Sequence, residues 1–126
     1  MIVGTGIDIV EVARMASAIC RHGKRFLRRV FTEAEIAYCD SKFNRVERYA
    51  ARFAAKEAAL KAIGTGWKRG VGWREVEVRR DPGGRPMISF TGIAAQFAAR
   101  LGVRRASLSL SHTAEHAIAQ VILESE

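Results

Sequence analysis

Cysteine is scarce in this chain, with only Cys20 and Cys39 among 126 residues. Their spacing fits neither a zinc site nor a redox pair, and both fall in helical patterns. Buried free thiols in a reducing cytoplasm are therefore expected. No apolar run approaches the roughly 20 residues that a membrane helix needs, since Gln120 cuts the terminal AIAQVIL. The N-terminus has no basic segment, and Asp8 interrupts its short apolar stretch, so a secretory signal is not expected. There is no repeat, linker or low-complexity tract, and the length suits one domain, residues 1–126. Acidic residues are missing altogether between Glu11 and Glu33, where Arg14, Arg21, Lys24, Arg25, Arg28 and Arg29 all fall.

What remains is an ordinary globular composition, 48% hydrophobic and 27% charged, with a net charge of +8. That excess implies an anionic partner without choosing among nucleic acid, phosphorylated cofactor, acidic protein and lipid. Residues 2–10 (IVGTGIDIV) read as a buried strand. Residues 12–20 read as a helix presenting Val12, Met15 and Ile19 to the core and stopping near Gly23. Phe26, Leu27 and Val30 suggest a second short helix, and Thr32 with Glu35 a capping box that opens another. The clearest element is the alanine-rich helix from Arg45 to Ile63, ended by Gly64. A glycine-rich loop, GTGWKRGVG, follows. Trp73–Arg80 and Met87–Phe90 read as a hairpin around DPGGRP, Ile93–Leu101 as a helix, and 105–111 and 117–123 as strands. Helices interleaved with antiparallel strands predict an α+β fold.

One residue breaks the pattern of the long helix. Val46, Tyr49, Phe53 and Leu60 share an apolar stripe, and Glu57 lies about 40° from Phe53 on the helical wheel, inside that stripe. A carboxylate there must be paired or hold a metal. Two readings are open: a structural ion pair with Lys61 one turn on, or a metal-binding carboxylate beside a phosphate-binding lysine. Asp8 presents a similar choice. Strand alternation puts it on one face with Ile2, Gly4 and Gly6, where missing side chains admit a ligand or another backbone. It also fits as a helix cap completed by Glu11. Two carboxylates from separate elements, joined by substrate phosphates, are how a protein usually holds Mg²⁺.

Other signals are weaker. GTGWKRG follows a helix where a phosphate-binding fingerprint would precede one; it reads as a surface loop, with phosphate contacts from Lys68 and Arg69 as the alternative. His112-Thr-Ala-Glu115-His116 has the letters of a zinc motif but follows a strand and lacks a downstream ligand. His112 reads either as an exposed turn residue or as a contact to a donor phosphate. If the helix ran on past Gly23, Arg14, Arg21, Arg25 and Arg28 would share a face, either a solvated one or a docking surface for an acidic partner. Zinc-finger spacing, RNP-type aromatics and a basic heptad region are all absent, which disfavours a nucleic-acid-binding module.

Three blocks together, GIDIVEV at 6–12, RFAAKEAALKA at 52–62 and LSLSHT at 108–113, resemble the signatures of the holo-acyl-carrier-protein synthase family, the short-form 4′-phosphopantetheinyl transferases. The resemblance spans almost the whole chain, in order and at appropriate spacing. It implies Mg²⁺-dependent transfer of the 4′-phosphopantetheine arm of coenzyme A to a serine of acyl carrier protein, releasing adenosine 3′,5′-bisphosphate, within fatty acid biosynthesis. It also implies an antiparallel sheet packed on a long helix, and a homotrimer with active sites between subunits. Carried over by position, Asp8 and Glu57 match the metal carboxylates, Glu57 and Lys61 are the catalytic candidates, and Lys61 lies near the pyrophosphate. Arg52, Gly64, Ser111, His112 and Thr113 fall in segments the family uses around coenzyme A. The helix bearing Arg14, Arg21, Arg25 and Arg28 is similar to the one on which the acidic carrier docks.

Overall fold

The computed structural model describes residues 1–66 and 69–126. Trp67 and Lys68 lie outside the described residues, and with them the suggested phosphate contact of Lys68. Chain order is β1 (Ile2–Glu11), α1 (Val12–Val30), α2 (Glu33–Asp40), α3 (Arg45–Ala62), a 3₁₀ turn (Trp73–Glu75), β2 (Val76–Arg80), β3 (Pro86–Phe90), α4 (Gly92–Leu101), β4 (Arg105–His112) and β5 (His116–Glu124). The α+β class agrees with the sequence reading. Trp73–Glu75, expected as the start of a strand, closes a 3₁₀ turn in which Glu75 N–H donates to the Gly72 carbonyl.

β1, β5 and β4 form an antiparallel sheet in that order, and β2 pairs with β3 as a separate hairpin. α3 lies across one face of the sheet. Its alanines at 50, 51, 54, 55, 58, 59 and 62 are all buried, because the sheet covers one side of the helix and α1, α2 and the hairpin cover others. Small side chains let these layers approach closely. The approach is tightest at β1. A Cβ on Gly6 would sit 1.9 Å from the Ala58 carbonyl oxygen, and one on Gly4 2.1 Å from that of Ala62. The glycines thus admit a backbone, one of the two occupants their pattern allowed. Each step of two residues along β1 matches a step of four back along α3, which carries Asp8 toward the middle of the helix.

The other face of the sheet is uncovered in the single chain. Cross-strand neighbours Thr5–Ile122–Ser107, Ile7–Gln120–Ser109 and Ile9–Ile118–Ser111 share it. Ile7 is 57% and Ile9 62% exposed, so β1 is buried on one face only, in contrast to the expected fully buried strand.

The capping box forms as expected. Glu35 N–H donates to Thr32 Oγ1 at 3.3 Å, and Thr32 N–H donates to Glu35 Oε1 at 2.8 Å. Glu35 does more than cap, however. It is buried with Lys56 in an ion pair of 2.7 Å, and its Oε2 accepts the Val78 N–H at 2.7 Å. Lys56 also donates to the carbonyls of Trp73, at 3.2 Å, and Val76. Burial pulls the Lys56 ammonium below its usual range, against the opposing charge of Glu35. Every group of this pair has a partner, the condition under which a buried pair is tolerated.

The stop expected near Gly23 is present: its φ of 53° and ψ of −132° are not helical, and a second helical segment follows, so the arginines do not lie along one straight helical face. The reading of both cysteines as buried is corrected. Cys39 is buried, with its thiol pushed up to about 12 by burial, but Cys20 is exposed: it occupies the outer face of α1, whose inner face is Val12 and Met15.

Candidate active site

Asp8 sits within β1, three residues before Glu11, the N-cap of α1, where no side-chain capping bond forms. The capping role for Asp8 is thereby excluded. Its carboxylate instead meets Lys61: Lys61 Nζ donates to Asp8 Oδ1 at 2.9 Å and to the Ile7 carbonyl at 3.0 Å. The expected structural pair between Glu57 and Lys61 is not the one that forms. Lys61 reaches across to β1, because the Gly4–Gly6 contact brings that strand within reach of the last turns of α3.

Glu57 is left facing a cleft of about 650 Å³, which it lines with Asp8, Glu11 and Arg14. The apolar part of the wall comes from Met15, Phe26 and Phe53. Burial raises the Glu57 carboxyl above its ordinary range; the negative charge of Asp8 adds to the rise, and Lys61 opposes it. The two carboxylates therefore feel each other across the cleft, as like charges sharing a site do. Lys61 itself lines a second depression with Thr5, Gly6, Ile7 and Gln120. Asp8, Glu57 and Lys61 thus converge from a strand and a helix 53 residues apart.

Comparison with known proteins gives this convergence a context. The profile of the 4′-phosphopantetheinyl transferase superfamily matches residues 4–121, which include all three motif blocks. The chain belongs to this family. Holo-[acyl-carrier-protein] synthase of Koribacter versatilis is 65% identical over 124 residues, spanning 98% of this chain and 99% of that one. The crystal structure of holo-[acyl-carrier-protein] synthase from Neisseria meningitidis superposes with a TM-score of 0.89 at 33% identity, over 98% of this chain and 99% of that chain. The Helicobacter pylori enzyme, solved in complex with coenzyme A, gives a TM-score of 0.84 at 30% identity, over 95% and 99%. This chain is accordingly an enzyme, a phosphopantetheinyl transferase.

In the transferase, the remaining candidate residues lie away from the carboxylate cleft, except Arg14, which lines it. Arg21, Arg25 and Arg28 are exposed on the two halves of α1; Arg28 borders a separate recess with Phe31, Glu33 and Arg74. Arg52 points toward α2. It is 3% exposed, its guanidinium carbon lies 4.0 Å from the centre of the Tyr38 ring, and its Nε has no hydrogen-bond partner among the described residues. Lys42 and Arg80 approach the same ring at 5.2 and 5.3 Å. Gly64, at φ 83°, ends α3 three residues after Lys61. Ser111 is on the uncovered sheet face, opposite Ile118. His112 Nδ1 is 4.0 Å from Glu47. Thr113 shapes the β4–β5 turn, where its Oγ1 accepts the N–H groups of Glu115 and His116 at 3.2 and 3.1 Å.

His116, which carried no signal in the sequence, and Glu11, which read only as part of a helix cap, are cleft residues. They stand opposite each other in the β1–β5 ladder. Only that strand pairing reveals them, and it joins segments more than a hundred residues apart.

Proposed function

We propose that this enzyme transfers the 4′-phosphopantetheine arm of coenzyme A to a serine hydroxyl of an apo acyl carrier protein in the cytoplasm, in the service of fatty acid biosynthesis. A single transferase domain, residues 1–126, carries the activity. The observation that supports this most strongly is that Asp8 and Glu57 line one cleft while Lys61 is bonded to Asp8. The serine oxygen attacks the β-phosphorus of the donor, the bond from that phosphorus to the oxygen bridging the two phosphates breaks, and adenosine 3′,5′-bisphosphate leaves. Lys61 neutralises charge on the pyrophosphate. Glu57, which faces the cleft, accepts the serine proton.

Asp8 and Glu57 would hold Mg²⁺. Two carboxylates that repel each other across an open cleft suit a small divalent cation. Among the described residues no cluster of three or more acidic, His or Cys side chains could cage a metal by itself. Mg²⁺ keeps waters and takes substrate phosphate oxygens, so it does not need such a cage. When bound, the ion supplies positive charge to the diphosphate.

The adenosine end of coenzyme A is assigned to Arg52, Gly64, Ser111, His112 and Thr113. Arg52, buried with an unsatisfied N–H beside other cations, supports this by its need of an anion. Because Arg52 and Ser111 lie outside the carboxylate cleft, the assignment goes with a homotrimer whose active sites lie between subunits. The exposed Ile7, Ile9 and Ile118 are the face such an assembly would cover. The acidic carrier docks on Arg14, Arg21, Arg25 and Arg28, where opposite charge speeds encounter.

The test is product analysis with purified apo carrier and coenzyme A. Adenosine 3′,5′-bisphosphate and holo carrier should appear in equal amounts, vanish with a chelator and return with Mg²⁺; release of the nucleotide without carrier modification would refute the reading. Arg14→Glu and Arg25→Glu should raise the KM for carrier far more than the KM for coenzyme A, and the reverse order would count against the docking surface.

A further inference from the structure

Trp73 lies outside all three motif blocks, yet both its backbone and its ring are held by α3. Its carbonyl accepts Lys56 Nζ at 3.2 Å. Its ring packs on Phe53, with centroids 5.1 Å apart and planes at 32°. Phe53 and Lys56 flank the helical turn that ends in Glu57, and Phe53 is itself a wall of the cleft that Glu57 and Asp8 line. The turn that carries Trp73 is fixed independently. Glu75 Oε2 accepts the Gly72 N–H at 3.2 Å, and Glu75 Oε1 accepts the Ala94 N–H at 2.9 Å, tying the segment to the start of α4.

We infer that Trp73 is a positioning residue for the transfer reaction proposed above, acting by holding the Phe53 ring against the cleft. A phenylalanine on a helix has two common χ1 settings. An indole packed on one flank of its ring removes freedom between them. Phe53 lies one helical turn before Glu57 on the same stripe, so its ring forms the apolar wall next to the reacting carboxylate. A ring free to swing would loosen the alignment of the serine and let water into the cleft; misplacement of about 1 Å can lower turnover by about a hundredfold. The donor's diphosphate is assigned to Lys61, whose partners are Asp8 and the Ile7 carbonyl, so the KM for coenzyme A should change little.

The experiment measures kcat and both KM values for Trp73→Leu, Phe53→Leu, the double variant and Trp73→Phe. Each leucine variant should lower kcat by about tenfold and leave the KM for coenzyme A within about twofold. The double variant should be no worse than the poorer single one, because both remove the same contact, and Trp73→Phe should recover most of the rate. Multiplicative losses in the double variant, or losses that Trp73→Phe does not relieve, would overturn the inference. If Trp73→Leu does not fold, Phe53→Leu and Trp73→Phe decide: an unchanged kcat in the first, or a collapsed one in the second, overturns it. A wild-type protein that transfers no arm would instead refute the proposed function, whereas an active wild type with indifferent Trp73 variants refutes only this inference.

Discussion

Lys61 joins Asp8 at 2.9 Å, tying the penultimate residue of a long helix to the middle of the first strand. The salt bridge is half exposed on the lysine side, 51% against 18% for Asp8, so its contribution to stability is small. Its consequence is positional. It orients Asp8 beside the cleft while Glu57, one turn earlier on the helix, is left without the lysine as a partner.

Asp8→Asn and Glu57→Gln are each expected to lower carrier modification by at least about a hundredfold. Circular dichroism and gel filtration should show an intact fold. Initial rates with saturating coenzyme A measure the effect; a variant within a few-fold of wild type would refute the metal assignment.

The same glutamine substitution should make the protein more stable. A carboxyl raised above its unfolded value destabilises the fold fully at pH above the folded value, and that cost shrinks as pH falls from the folded value to the unfolded one. Glu57→Gln should therefore have a higher Tm than wild type at pH 7–8. The gap should close on acidification toward the carboxylate range. A lower Tm at neutral pH would show that the carboxylate is stabilised by a partner.

Gly6→Ala places a methyl group where the Ala58 carbonyl stands, 1.9 Å away. β1 or α3 must then shift, at a cost of about 1–3 kcal/mol or more, and Asp8 moves away from Glu57. Urea denaturation should show the stability loss and rate assays a parallel fall in activity. Wild-type stability would contradict the close packing.

Lys56→Met leaves Glu35 charged and buried, which costs about 3–5 kcal/mol. Replacing both, with Glu35→Leu added, should recover part of that loss in chemical denaturation. If the double variant is worse than the single, the Thr32 and Val78 N–H groups that Glu35 accepts outweigh the relief of its unpaired charge.

Much of this was legible in the sequence where a local rule sufficed. The alanine-rich period marked α3, Thr32 and Glu35 marked a cap, DPGGRP marked a turn, and a carboxylate on the apolar stripe marked Glu57. Long-range choices were not legible. Local spacing matched Lys61 to Glu57, but tertiary packing gave it to Asp8. Glu35 read as a cap alone, because its bonds to Lys56 and the Val78 amide depend on how α2 meets α3 and β2. By contrast, the stop at Gly23 and the short helix beyond it were legible, and that break divides the arginines between two segments.

The most direct measurement is the intact mass of an apo acyl carrier protein after incubation with this enzyme, coenzyme A and Mg²⁺, beside a parallel reaction with Glu57→Gln. The account predicts a mass gain of one phosphopantetheine arm, located on a single serine, with wild type only. An unmodified carrier after prolonged incubation, or equal modification by the variant, would contradict it.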